Sequence, residues 1–297
     1  MKDLKIYLEV DMEGISNITY LKQIIPGYHE WEKAREYMTL DVNAAVKGIL
    51  RAAEKQGKNA IIDVADSHWK MMNILPHELD RKVNSLIRGV ENRRYPQVPG
   101  IDSSYDALVC VGNHDHTNGP GVLSHTWLPG WEWTVNGTVV SETGLNGYTA
   151  GAHNVPLIFV AGDDVITAKT KELCRQFDSD VETAVVKEAK GWESAMCYSF
   201  ERTHKAIEEG AFNAVMGLEK GIYKPLVCEG SSTITIQLPD EGKPGKVLKD
   251  IEDTVYVGDT TIKITRDTFE KAVAVGAQVL EMFYLDTISP FEVYEKL

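Results

Sequence analysis

Cysteine is scarce in this chain and badly spaced for chemistry. Cys110, Cys174, Cys197 and Cys228 are its four cysteines among 297 residues, with no CxxC pair. That excludes a cysteine-rich metal site and reads as reduced, mostly buried thiols, with two disulfides as the alternative. No apolar stretch approaches the roughly 20 residues of a membrane helix. The opening Met1-Lys2-Asp3-Leu4-Lys5 leads into a short strand without the apolar segment of a secretion signal. A cytoplasmic protein with no membrane partner is therefore expected. Basic residues are in deficit, 31 against 44 acidic ones for a formal charge of -13, which argues against nucleic acid as a partner. Gly112-Asn113-His114 and Gly119-Pro120-Gly121 form neither a dinucleotide fingerprint nor a phosphate loop. Ser124-His125 lacks the GxSxG setting of a serine hydrolase.

What is present is an alternation of strand and helix. Residues 4 to 10 read as a strand and 30 to 56 as a helix, with Leu40, Ala44, Ile49 and Ala52 on its apolar face and Gly57 as its stop. A second strand follows over 60 to 64, which makes a strand-helix-strand unit and predicts a parallel sheet. A short helix and strand are expected within 79 to 88, and an irregular stretch over 93 to 100. Further strands are expected over 105 to 111 and 155 to 161, with Asp163 or Asp164 capping the next helix. Asn136-Gly137 between 131 to 135 and 138 to 140 signals a hairpin, and 142 to 152 a helix. Beyond that, strands are read at 181 to 186, 232 to 238, 255 to 257 and 260 to 265, and helices at 201 to 211 and 269 to 284. Residues 241 to 245 read as a loop and Gly258-Asp259 as a tight turn. The fold class is α/β: a mostly parallel sheet with flanking helices in the N-terminal part, and a smaller mixed α+β C-terminal part. Residues 1–168 form the expected metal-binding core and 169–297 the second portion, either a separate lobe or continuous with the core.

The candidate chemistry stands at strand ends. Asp11 and Glu13 follow the first strand, Asp66 and His68 the second, and His114 and His116 the strand ending near Val111. His125 and Glu142 come behind them. Open α/β sheets place their ligands beyond the carboxyl ends of the strands. Carboxylates and imidazoles converging there resemble a hydrolytic metal centre, with separate caps and surface groups as the bland alternative. Such ligands suit zinc, cobalt, nickel or manganese better than magnesium. Three carboxylates and two or three imidazoles suffice for two ions that share one carboxylate. Trp127, Trp131 and Trp133 read as exposed residues lining a pocket or a subunit contact, or equally as core.

In these residues the chain resembles the D-aminopeptidase family of the dipeptide-transport operon type, the M55 metallopeptidases. The resemblance runs through Val10-Asp11-Met12-Glu13-Gly14-Ile15-Ser16, Asp66-Ser67-His68 and Gly112-Asn113-His114. It continues through Pro120-Gly121-Val122-Leu123-Ser124-His125, Glu142-Thr143-Gly144-Leu145-Asn146 and Val160-Ala161-Gly162-Asp163-Asp164, with Val186-Lys187 beyond. It implies a zinc-dependent aminopeptidase that hydrolyses the N-terminal peptide bond of short D-amino-acid peptides or amides through a metal-activated water. It implies two zinc ions per subunit: Asp11 bridging, Glu13 and His68 completing one set of ligands, and His114 and Glu142 the other. His125 is then the catalytic histidine outside the ligand set, acting as acid and base or as nucleophile. A homodecamer with sites facing an internal channel is implied as well.

One position departs from the pattern. Where the related peptidase has arginine two residues after the histidine ligand, this chain has His116. With the tryptophan-rich stretch, that keeps open a binuclear amidohydrolase acting on another small amide. A phosphoesterase and a non-catalytic metal-stabilised assembly are the remaining readings. Asp115, His116 and Asp163 are the candidate substrate-binding groups, one of the two acids for the substrate ammonium.

Overall fold

Strand β1 (Leu4–Val10) shows how the two halves of the core arise. Its alternate side chains Ile6, Leu8 and Val10 join one apolar cluster, and Tyr7 joins a second on the opposite face. Period-two alternation with both faces apolar is what a strand buried between two layers requires. The computed structural model describes residues 3–89, 97–239, 254–257 and 260–287.

Helix α1 (His29–Lys55) crosses from β1 to β2 (Ala60–Asp66), which pairs parallel to β1. Then come β3 (Ser85–Ile87), β4 (Ala107–Asn113), the hairpin β5 (Glu132–Val135) and β6 (Thr138–Val140), and α2 (Glu142–Ala152). The chain continues through β7 (Leu157–Asp163), α3 (Asp164–Arg175), β8 (Glu182–Gly191), β9 (Ser194–Cys197) and α4 (Phe200–Leu218). It closes with β10 (Ser232–Gln237), β11 (Thr254–Val257), β12 (Thr261–Arg266) and α5 (Phe269–Thr287). The larger sheet has the order β3-β2-β1-β4-β7-β8-β9, parallel except for β9. The smaller sheet, β11-β12-β10-β5-β6, is antiparallel.

Sheet membership does not follow chain order. The division expected at 168 falls inside α3, β8 and β9 extend the larger sheet, and β5 and β6 join the smaller one. The first core packs α1 and α4 on one face of the larger sheet. On the other face, Leu108, Cys110 and Val160 meet Ile234, Ile236 and Ile264 of the smaller sheet and Phe269 of α5. Burying each such large side chain contributes about 1.5–3 kcal/mol.

Several local expectations are corrected. Leu40 is 42% exposed, because the buried face of α1 runs through Ala34, Met38, Val42, Ala45, Ile49 and Ala52 at helical spacing. No helix precedes β3 within 79 to 88; the stretch is turns. The strand expected from 105 begins at Ala107, since Tyr105 N closes a turn onto Asp102 O at 3.2 Å. Of the two readings of the tryptophans, core holds for Trp131 and Trp133, and Trp127 packs edge-on against Trp133. The hairpin forms as expected, with positive φ at Asn136 and Gly137. The loop read at 241 to 245 and the Gly258-Asp259 turn lie outside the described residues. No described helix is long and apolar enough to cross a membrane.

Candidate metal centre

Parallel pairing of β1, β2, β4 and β7 puts their carboxyl ends on one edge. Asp11 and Glu13 leave β1 there, His68 follows β2 and His114 follows β4. Glu142 arrives as the first residue of α2, after the N-cap Ser141. His125 arrives on the loop between β4 and β5. The loop after β1 lies so close to β4 that a Cβ on Gly14 would stand 1.9 Å from the Asn113 carbonyl oxygen.

The distances are short. His68 Nδ1 lies 3.3 Å from Asp11 Oδ1 and 3.0 Å from Glu13 Oε2. His114 Nε2 lies 3.3 Å from Asp11 Oδ2 and 3.5 Å from Glu142 Oε1. His125 Nε2 lies 3.7 Å from Glu13 Oε1 and 3.9 Å from Glu142 Oε1, and its ring stacks on His114 at 4.3 Å. Glu13, His114 and His125 lie close enough to hold an ion, and two further compact groups are Asp11, Glu13 and His68, and Asp11, His114 and Glu142. Asp11 belongs to both of the latter, turning a different oxygen to each histidine.

Each ring nitrogen on the far side faces a main-chain carbonyl. His68 Nε2 is 2.7 Å from Ile24 O, His114 Nδ1 3.0 Å from Asp115 O, and His125 Nδ1 2.7 Å from Leu123 O. A carbonyl only accepts, so each of these nitrogens carries the N–H. In a neutral ring the other nitrogen then presents a lone pair to carboxylates, which is repulsive unless a cation lies between. Three buried atoms confirm the mismatch: Asp11 Oδ2, Glu13 Oε2 and His114 Nε2 have no hydrogen-bond partner. Two atoms about 2.0–2.1 Å from a tetrahedral zinc ion stand about 3.3 Å apart, which the 3.0 to 3.5 Å separations match. The residues therefore fit a divalent cation.

Without a cation, protons take its place. Burial opposes charge on His68, but Glu13 and Asp11 hold its pKa well above the ordinary value. Burial likewise opposes charge on His114, and Glu142 and Asp11 raise it. Burial would raise Asp11, yet the close approach of the His114 and His68 rings holds it well below the usual carboxylate range. Beneath them, burial and then the Asp11 charge push Glu9 up to about 8.

Other carboxylates named from the sequence have partners inside the fold. Asp66 accepts from Asn73 N, Asn73 Nδ2 and Ile74 N, fixing the turn after His68. Both oxygens of Asp115 accept from Lys169 Nζ, at 2.9 and 2.8 Å. Asp163 caps α3 through Val165 N and Ile166 N and holds Val122 N. His116 faces Thr117 O and Lys169 Nζ. These contacts tie Asp115 and Asp163 to α3 and its approach.

Gln97 and Trp192 had no sequence signal at the centre, and Trp127, read as lining a pocket, a subunit contact or core, acts there through its main chain. Gln97, in an irregular proline-flanked stretch, donates to Glu142 Oε2 and is held by Asn146 Nδ2 at 3.1 Å. The Trp127 N–H donates to Glu142 Oε1 at 2.6 Å. Trp192 steadies the His125 loop: its carbonyl accepts from Leu123 N at 2.7 Å and its indole donates to Ser124 O at 3.2 Å.

A buried group of imidazoles and carboxylates at the carboxyl edge of a mostly parallel sheet defines a metal-dependent hydrolase. The family model for D-aminopeptidases of peptidase family M55 matches residues 4–277. A D-aminopeptidase of Bacillus subtilis (strain 168) is 30% identical over 260 residues, 85% of this chain and 90% of that protein. The solved structure of Zn-dependent D-aminopeptidase DppA from Bacillus subtilis, a self-compartmentalizing protease, superposes with a TM-score of 0.84 at 28% identity. That superposition covers 97% of this chain and 99% of the other. The chain belongs to the M55 D-aminopeptidase family.

Proposed function

We propose that this protein is a zinc-dependent aminopeptidase that hydrolyses the N-terminal peptide bond of short D-amino-acid peptides. The observation that supports it best is the set of imidazole lone pairs turned onto buried carboxylates, in a chain of this family. Asp11 would bridge two ions, Glu13 and His68 completing one set of ligands and His114 and Glu142 the other. When bound, zinc supplies Lewis acidity for a carbonyl oxygen and lowers the pKa of a water. The protein's own part is to hold the ligands rigid and to move a proton.

His125 is suited to the proton. Its side chain is 16% exposed, against 5% for His68 and 1% for His114, so it is the most open of the three to substrate. Leu123 O fixes its Nδ1–H, leaving Nε2 to take a proton from the attacking water and return it to the leaving amine. The same family relationship supports a closed homo-oligomer, which we take to be a ring of ten; native mass spectrometry measures that directly.

The test is hydrolysis of a matched set of D- and L-aminoacyl amides and dipeptides by zinc-loaded and metal-free protein. Zinc-dependent cleavage of D-substrates alone is expected. Silence toward the whole set with zinc bound would turn the search to other small amides. His125→Ala should lower kcat by about 10²–10⁴-fold with the metal content intact. Loss of an ion in that variant would make His125 a ligand and end its assigned role.

A further inference from the structure

We propose that Lys187 is a positioning residue of the metal centre: its ammonium clamps the loop after β1 and so fixes the Glu13 carboxylate against His68. This rests on the reading of Glu13 as a ligand. Lys187 lies on β8 and is fully buried. Its Nζ is 2.6 Å from Glu13 O, 3.0 Å from Ile15 O and 2.6 Å from Ile18 O. None of these partners is a carboxylate. An ammonium has three N–H donors and no acceptor, and each donor here meets one carbonyl.

All three carbonyls belong to one short loop, and that loop carries Glu13. It is irregular, with the turn bonds Ile15 N to Met12 O and Ile18 N to Ile15 O, both 3.2 Å, and Met12 N to Asp11 Oδ1 at 2.8 Å inside it. Its shape is imposed from outside. Gly14 N donates to Gly112 O at 2.7 Å, and Ser16 N and Oγ donate to Asp41 of α1. Those contacts pair the Gly14 and Ser16 donors, and Lys187 pairs three of the loop's carbonyls. An apolar side chain of equal length would fill the same space, deprive Glu13 O and Ile18 O of this donor, and leave Ile15 O with Ile18 N alone. The loop would turn them toward other donors and carry Glu13 with it. Glu13 Oε2 stands 3.0 Å from His68 Nδ1, so a small shift breaks up the group of Asp11, Glu13 and His68. The group of Asp11, His114 and Glu142 includes no residue whose carbonyl meets Lys187.

The experiment compares full-length wild type, Lys187→Met and Lys187→Gln, each with and without His68→Ala. Zinc affinity is read by competition with a chromophoric chelator, ligand geometry by the visible absorption of the cobalt form, and folding by circular dichroism. Lys187→Met should weaken one ion by about 10–100-fold, the usual effect of losing a support behind a metal ligand, and change its cobalt spectrum. The second ion should keep its affinity. Lys187→Gln, with two donors, should fall between. In the His68→Ala background the Lys187 change should add no further loss. Wild-type affinities and spectrum in Lys187→Met overturn the clamp, and so does equal weakening of both ions. If Lys187→Met does not fold, Lys187→Gln decides by the same criteria. A wild type that binds no zinc refutes the metal reading itself, so the two failures are distinct.

Discussion

Glu9 is the residue whose environment has the clearest solution consequence. It lies on β1 directly before the ligand loop, fully buried, with Ser67 Oγ and Asn113 Nδ2 donating to it. Burial and the neighbouring Asp11 raise its pKa from 4.5 to about 8. Below pH 4.5 the folded and unfolded chains both hold the proton. Between 4.5 and about 8 the folded, metal-free chain keeps a proton that the unfolded chain has released, so stability falls as pH rises. Above that window the slope ends. Glu9→Gln has no proton to lose. It gives up the Asn113 bond at every pH but removes the slope. Unfolding in chelator over this pH range should therefore show the wild type losing stability relative to Glu9→Gln. A constant difference would mean that another group holds the proton.

At the scale of elements, the centre depends on backbone that approaches closely. The Gly14 region and the end of β4 touch main chain to main chain, Gly14 N to Gly112 O, and Gly112 has φ of +78°. Gly14→Ala places a methyl group where the Asn113 carbonyl already is. Overpacking of this kind costs about 1–3 kcal/mol and occasionally more, and the shift must move Glu13. Thermal unfolding should show the lower stability, and metal analysis after gel filtration should show reduced zinc retention. Wild-type retention would mean that the loop yields without moving its ligand. Helix α2 contributes differently. Its residues 142–151 are buried, so Glu142 is held at its N-terminus by packing as well as by Gln97 and Trp127.

At the scale of the whole molecule, the centre joins β1, β2, β4, α2 and the His125 loop, which converge at one edge of the larger sheet. A ligand that binds only this folded arrangement stabilises it by mass action, about 2.7 kcal/mol at a free concentration 100 times Kd. Chelation should therefore lower Tm, and added zinc should restore it. The two proton-loaded imidazoles leave part of the repulsion screened, so the metal-free protein should remain folded at neutral pH. Equal Tm values with and without chelator would show that no ion binds the native state.

The sequence alone determined the strand and helix alternation of the first half, the Asn136-Gly137 hairpin and the strand ends where ligands stand. Those features depend on side-chain period and on turn residues, which act over a few positions. It also indicated Asp11, Glu13, His68, His114, His125 and Glu142 as a set, through their placement and family resemblance. Tertiary structure decided which oxygen of Asp11 faces which histidine, and it gave Asp66, Asp115 and Asp163 internal partners instead. It also supplied the supports that carry no local signal. Gln97 reaches Glu142 across 45 positions and Lys187 reaches Glu13 across 174. A hydrogen bond between such distant residues is set by how the strands and loops pack, and no periodicity along the chain records it.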